Sequence, residues 1–567
     1  MKKKNKDILI FLLTLLLLIA TNYLANFYYT RLDLTEEKRY TISNATVKLL
    51  ESLDDEIYIK IYLEGQLPAG FKRLRNAIQE TLDEFQRYAG KKIKYKFIDP
   101  SIAKSNKERG EFYQSLVKKG IIPNNVVAKE GDQKVEKVIF PGALLYYKNL
   151  EIPLMLFKVI NQKVTGAPSP EQILNQSVEN VEYNIASAIR KLTLKKENKK
   201  NIAFSEGHGE ASNLEIADLL NSLGATYNVF KVNLKKETKL TGLDALIIVK
   251  PDSSFNQDDK YKLDQYVMNG GKILFFVDAN GVYMDSVLRD KGSFTFPYNH
   301  NLTDLLFKYG VRLAPNLIKD LNSAYIPMVT GNLGEEQRIQ PIPWQYYPLI
   351  NTFAKHPIVK NLDAITTKFV GVLDSVKAEG IKKTPLLFSS KYTMLRGTPA
   401  FVTFNEARQQ PDPKLYNKSF QPIAYLLEGQ FTSMFKSRIL PNDPRAKNFK
   451  DKSPDTKILV CADADIAINE IVLDKKTQNP MPLPLGFDRL AQATFSNKDF
   501  IVNALDYMLE ENGIIAARRK EIALRPLDRI KITQEQTQWQ VLNLGLPPLL
   551  IVLFGFVWFT LRKRLFS

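Results

Sequence analysis

The chain has 567 residues, 44% of them apolar, which excludes a disordered polymer and leaves room for three or four packed domains. Its formal net charge is +18, but long uncharged apolar stretches at both ends direct that excess toward lipid headgroups or an acidic protein face rather than nucleic acid. One cysteine, Cys461, and three scattered histidines, His208, His300 and His356, exclude an internal disulfide, a Cys-x-x-Cys redox pair and a multi-cysteine zinc site.

From Ile8 to Thr30 no residue is charged, and Lys2, Lys3, Lys4 and Lys6 come before. Such a run is long enough to cross about 30 Å of hydrocarbon, so residues 1–30 are predicted to be a transmembrane helix. A cleaved signal peptide is the alternative, although no small-x-small cleavage site follows. Residues 31–165 read as an α/β domain. Ser43 is placed to cap a helix, Ile57, Ile59, Ile61 and Leu63 alternate as a strand, and Phe71, Leu74, Ile78, Leu82 and Phe85 have helical spacing. A strand at 93–98, a helix near 104–119 and strands near 126, 135–140 and 143–147 complete a thioredoxin-like order without that fold's redox cysteines. Residues 166–200 are a Gly-Ala-Pro-Ser-Pro linker and one long amphipathic helix through Leu174, Val178, Val181, Ile185, Ala188 and Leu192.

After the charged run 195–200, strands and helices alternate through residue 280, the pattern of a doubly wound parallel sheet of the class I glutamine-amidotransferase-like kind. Residues 281–455, rich in Pro and Tyr, are an insertion of unassigned fold, and 456–512 return to the sheet with a strand at 458–462 and a final helix. A juxtamembrane segment, 513–538, leads to a second predicted span at 539–567, whose uncharged run Gln540–Leu561 holds Pro547-Pro548 and ends at Arg562, Lys563 and Arg564. Basic clusters outside both spans predict cytoplasmic termini, a periplasmic central region and two passes through the inner membrane.

Gly207-His208-Gly209-Glu210 stands at the carboxyl end of a predicted strand, the place where open α/β sheets bind ligands. Glycines let backbone N–H groups approach an anion, while His208 and Glu210 are an acid, base or ligand pair. Asp278, at another strand end, joins them as a ligand- or partner-binding candidate, and a tight structural turn is the competing reading. Asp463-Ala464-Asp465 has the spacing of aspartyl-phosphate enzymes, but the remaining groups of such a site cannot be assigned, so it reads as turn chemistry. Cys461 falls inside an apolar strand and reads as buried and inert. No phosphate loop is present, and neither a metal site nor a cofactor is predicted.

Four segments in order, Arg39-Tyr40-Thr41-Ile42-Ser43, Ser177-Val178-Glu179-Asn180-Val181-Glu182-Tyr183, Gly207-His208-Gly209-Glu210 and Asp259 to Lys272, resemble the gliding-motility-associated ABC transporter auxiliary proteins of Bacteroidetes, the GldG family. The resemblance covers nearly the whole chain, including both spans and Asn497 to Arg519. It implies a non-enzymatic auxiliary subunit that partners a separate cytoplasmic ATPase and a polytopic permease, and it brings no catalytic residue with it. A membrane-tethered hydrolase or transferase using His208 and Glu210, and a passive envelope scaffold, are the competing readings.

Overall fold

A computed structural model describes residues 3–27, 41–102, 105–130, 133–157, 169–237, 239–289, 292–333, 336–439, 442–474, 476–509, 513–519 and 529–566. Residues 1–520 form one compact unit and 521–567 another. Arg39 and Tyr40, the linker before Ser169 and the tyrosines at 28 and 29 lie outside the described residues.

Helix α1, Lys3–Phe27, carries the first apolar run on exposed side chains such as Phe11 and Leu17. Helix α2, Asn44–Glu51, starts at Ser43, whose hydroxyl accepts the Thr46 N–H at 3.2 Å. Strand β1, Ile57–Ile61, buries every second residue, and helix α3, Ala69–Ala89, buries Phe71, Leu74, Ile78, Leu82 and Phe85 against it. Strand β2, Ile93–Phe97, pairs parallel to β1, as a strand–helix–strand unit requires. After helix α4, Asn106–Lys118, strands β3, Asn124–Glu130, and β4, Gln133–Ile139, form a hairpin. Strands β5, Gly142–Tyr147, and β6, Leu150–Met155, add antiparallel to β1, giving the order β2-β1-β5-β6.

The single amphipathic helix expected after the linker is two helices, α5, Pro170–Glu179, and α6, Val181–Thr193, meeting at Asn180. Both bury their apolar faces in the first lobe's core through Ile173, Leu174, Val181, Ile185 and Leu192. Glu182, buried in α6, accepts the Ser43 N–H at 2.6 Å and the Thr46 hydroxyl at 2.9 Å, so the start of α2 is tied to a helix far along the chain. Ile514, expected in the juxtamembrane segment, is buried in this same core.

The second lobe is built on β7, Asn201–Glu206; α7, Ala217–Gly224; β8, Asn228–Asn233; β9, Ala245–Val249; α8, Gln257–Met268; and β10, Lys272–Phe276. These strands pair in parallel in the order β10-β9-β7-β8. The all-parallel sheet read from the sequence needs correction beyond β10. The segment 281–455 is not set apart from the sheet but supplies β11, Thr352–Phe353, β12, Ile381–Phe388, and β13, Pro422–Thr432, all antiparallel. Strand β14, Lys452–Cys461, joins the two halves, antiparallel to β13 and parallel to β10, in an eight-stranded sheet β11-β12-β13-β14-β10-β9-β7-β8. Proline donates no ladder hydrogen bond; Pro385 is accommodated at a register shift of β12, and Pro422 opens β13.

One face of this sheet is covered by α7 and by the last helix of the lobe, Asn497–Leu509, the other by α8 and the helix Thr303–Tyr309. Helix α8 is unusual in burying charges. Lys260 is fully buried and bonds Asp304 at 2.7 Å, while the Asp264 carboxylate accepts the Ser433 hydroxyl at 2.5 Å, the Met434 N–H at 2.9 Å and the Tyr309 hydroxyl at 3.0 Å. Burial raises the Asp264 carboxyl above its ordinary value despite these three donors. In the second unit, helix Arg529–Phe566 runs through Pro547 and Pro548, and its segment Thr537–Arg564 is long and apolar enough to cross a membrane. The other predicted span is the shorter apolar helix Ile8–Tyr23.

Asp264→Ala leaves three buried donors without an acceptor and is expected to destabilise the second lobe by about 3–5 kcal/mol, with Asp264→Asn intermediate. Thermal and urea unfolding of the detergent-solubilised chain checks this, and an unchanged melting temperature for the alanine variant contradicts it.

Candidate functional site

Helix α7 leaves β7 on one face of the sheet and α8 leaves β9 on the other, so the carboxyl ends of β7 and β9 are a topological switch point. Gly207-His208-Gly209-Glu210 makes the turn there. Gly207 has φ 114° and Gly209 φ 71°, and a Cβ at Gly209 would lie 1.7 Å from Asp252 Oδ1. Both the left-handed backbone and the close approach of Asp252 therefore require glycine at 209. The His208 carbonyl accepts the N–H groups of Asp252 and Ser253, each at 3.0 Å, which closes the turn onto the segment after β9.

His208 has no exposed surface. Its ring stacks on Phe255 with centroids 3.7 Å apart, and its Nε2 lies 3.0 Å from Asp259 Oδ2 in the first turn of α8. Asp259 is held in turn by Lys262 Nζ at 3.0 Å and by the Asn256 cap, which accepts its N–H at 2.9 Å. Glu210 curls back so that Oε2 accepts the His208 N–H at 2.6 Å. Burial favours the neutral Glu210 carboxyl, but the neighbouring His208 and nearby backbone N–H groups outweigh it and hold the group below its ordinary value. His208 Nδ1 and Glu210 Oε1 remain 3.7 Å apart, too far for a hydrogen bond. The geometry is that of a staple between β7 and α8, with a shallow cleft outside it bordered by Glu210, Ser212 and Lys231.

Asp278 has other company. Beyond the carboxyl ends of β9, β10 and β14 it gathers with Asp463 and Asp465, their nearest ligand oxygens all within 4.8 Å of one another. Lys250, at φ 52°, extends into the group, where its ammonium bonds Asp465 at 2.8 Å and lies 3.9 Å from Asp278. Asp278 Oδ1 accepts the Ala464 N–H at 2.7 Å, and buried Asp463 accepts the N–H groups of Asp465 at 2.7 Å and Lys368 at 2.9 Å. Burial and the neighbouring Asp465 push the Asp278 carboxyl up to about 7 and Asp463 well above the usual range. Burial alone would lower the Lys250 ammonium, yet Asp465 and Asp278 hold it above its ordinary value.

Three carboxylates are a donor set that a hard divalent cation would accept. Here Lys250 already supplies a positive charge, and raised carboxyls retain protons near neutrality. A cation entering the group must displace both. In sequence, Asp463 and Asp465 read as turn chemistry and Asp278 stands as a candidate beside His208 and Glu210; the structure sets Asp278 with the two aspartates and Lys250 instead. The signal that marks all four is their common position just past the carboxyl ends of adjacent parallel strands. His208's partners, Phe255 and Asp259, carry no comparable mark.

His208→Ala removes a stacked buried ring and leaves Asp259 short of a partner, so a loss of about 2–4 kcal/mol is expected, not the silent variant of an exposed binding residue. Thermal unfolding decides. For Asp278 the folded carboxyl is raised from 3.8 to about 7, so the folded state binds more protons than the unfolded one and stability falls as pH rises through that window. Asp278→Asn is therefore expected to be more stable than the parent by on the order of 1–3 kcal/mol at pH 8, with the advantage shrinking toward pH 4. Melting temperatures measured across that range check the slope.

A model of the family described as an ABC-type uncharacterized transport system matches residues 199–504, the span holding all eight strands of the sheet and both clusters just described. A second model, described as a domain of unknown function, matches residues 36–146. An uncharacterized protein of Borreliella burgdorferi is 22% identical over 577 residues, covering 100% of this chain and 99% of its own. Among solved structures, the mmIFT52 N-terminal domain is 13% identical with a TM-score of 0.30, over 55% of this chain and 97% of that one. A putative ThuA-like protein from Parabacteroides merdae is 12% identical with a TM-score of 0.24, over 58% of this chain and 94% of that one.

Proposed function

The chain belongs to the ABC-type uncharacterized transport system family, and from that membership we propose that it is a non-enzymatic auxiliary subunit of an ABC transport complex. In this reading a cytoplasmic ATPase and a polytopic permease are its partners, and both terminal helices pack with the permease. The two lobes, a thioredoxin-like one without redox cysteines and a glutamine-amidotransferase-like one, stand in the periplasm and bind a partner or substrate. The family match across the sheet lobe carries the proposal, and the apolar helix Thr537–Arg564 with basic residues at its end supports a membrane attachment. ATP hydrolysis in the partner reaches the lobes as a change in permease conformation that alters their position. The resemblance of the four ordered segments to gliding-motility proteins supports surface gliding as the process served.

The burial of His208, stacked and hydrogen-bonded, supports a structural role at the β7 turn over a tethered hydrolase or transferase. A passive scaffold differs from a transporter subunit in one respect: it keeps working when the ATPase gene is deleted, whereas the proposed subunit loses gliding.

Affinity purification of the intact chain from detergent-solubilised membranes is expected to bring down an ATPase and a permease, and recovery of the chain alone overturns the assignment. Topology is testable because the sole cysteine, Cys461, is fully buried and its thiol is pushed well above its ordinary pKa by burial. With that silent background, Lys418→Cys is expected to react with an impermeant maleimide in intact spheroplasts, and Ser567→Cys only after lysis. The reverse pattern excludes a periplasmic sheet lobe.

A further inference from the structure

Between the first lobe and the face of the second covered by α7 lies a cavity of about 610 Å³, within the range of small-molecule sites. Helix α6 lines it with Tyr183, Asn184 and Ser187, helix Asn497–Leu509 with Asn503, and the first lobe with Phe157. Arg518 completes the wall. That arginine is 5% exposed; its Nη2 donates to the Lys360 carbonyl and its guanidinium lies 5.0 Å over the Tyr183 ring. Its Nε is buried and finds no acceptor, and it makes no ion pair among the described residues. Asp499, also in the cavity wall, and Asp506 act on it only through space. Asp506 is committed to the Tyr227 hydroxyl at 2.6 Å and to Arg190 at 3.7 Å.

A buried guanidinium without a carboxylate is costly, because the charge is desolvated and its donors stay unmet. Burial accordingly pushes the Arg518 pKa below its ordinary value. Stacking on Tyr183 and the bond to Lys360 fix the plane of the guanidinium, which stands in the cavity wall with Nε still short of an acceptor. A guanidinium with donors to spare matches the oxygens of a carboxylate or phosphate, and an already ordered fork loses little entropy on binding. The side-chain amides of Asn184 and Asn503 give the wall hydrogen-bonding capacity, Phe157 adds an apolar surface, and Lys191, Lys498 and Asp499 also line it.

We propose that this cavity is a binding site for a small organic oxyanion, a carboxylate or phosphate ester with an uncharged body, anchored by Arg518. The proposal rests on the reading of these lobes as a binding element of the transport complex, though not on their compartment. Calorimetric titration of the detergent-solubilised full chain uses N-acetyl-leucine and phenyl phosphate as probes and N-acetyl-leucine amide as the neutral control. Saturable binding of at least one anion is expected, with the amide at least about tenfold weaker. Binding of only one anion identifies its oxyanion class. Arg518→Gln is expected to weaken binding by about tenfold or more, and so is Ser187→Phe, which fills the cavity without altering the arginine. If Arg518→Gln does not fold, Ser187→Phe decides. Failure of both anions to bind, equal binding of the amide, or undiminished binding by Ser187→Phe overturns the site. Those failures leave co-purification with an ATPase and a permease untouched, so the site and the transporter assignment fall separately.

Discussion

Helix α8 buries charge, and the second lobe is organised around the partners those charges demand. A carboxylate or ammonium removed from water must find hydrogen bonds or an opposite charge, and each of the three buried ionisable groups on α8 finds them in a different part of the chain. Asp259 reaches His208 after β7, Lys260 reaches Asp304, and Asp264 collects Ser433, Met434 and Tyr309. Apolar contact alone tolerates sliding of a helix over a sheet. Three directional anchors spread over two turns do not, so α8 fixes the register of the segment 281–455 against the parallel strands.

The same economy of geometry separates the two clusters at the carboxyl edge of the sheet. The Gly207–Glu210 turn fills the switch point with its own histidine and is closed by Asp252 and Ser253, so its chemistry is spent internally. The Asp278, Asp463, Asp465 and Lys250 group carries an excess of carboxylates over its single cation, which burial converts into retained protons. Of the two, only the second has electrostatic capacity left over for a change in surroundings.

Much of the fold was legible in the sequence because it is written in local periodicity. Ile57, Ile59 and Ile61 alternate, Phe71 to Phe85 recur at helical spacing, and Ala245–Val249 is an unbroken buried run. What was not legible depends on separation or on a rule with exceptions. Pro385 argues against a strand unless a register shift absorbs it, which only the pairing with β13 reveals. Asn180 divides a heptad-like helix without a glycine or proline to announce the break. Asp278 and Asp463 are distant in sequence, and each alone looks like an ordinary polar turn. Arg518 belongs to a stretch that reads as a tether to the membrane, so its guanidinium gave no hint of a cavity.

Strand β14 is the seam of the eight-stranded sheet, and it is synthesised long after its parallel neighbour. From the moment β10 is complete at Phe276 until Lys452 emerges, a strand apolar from Ile273 to Phe276 has an open edge with no native partner. Antiparallel β12 and β13 can zip together during that interval, but they have nothing to dock on. The nascent protein therefore passes through a stage with two half-sheets and two sticky margins, the condition under which strands exchange between chains. Anything that guards an unfinished sheet edge during synthesis or export has this interval in which to act, and substitutions that slow the arrival of β14 will show themselves as lost yield before they show themselves as lost stability.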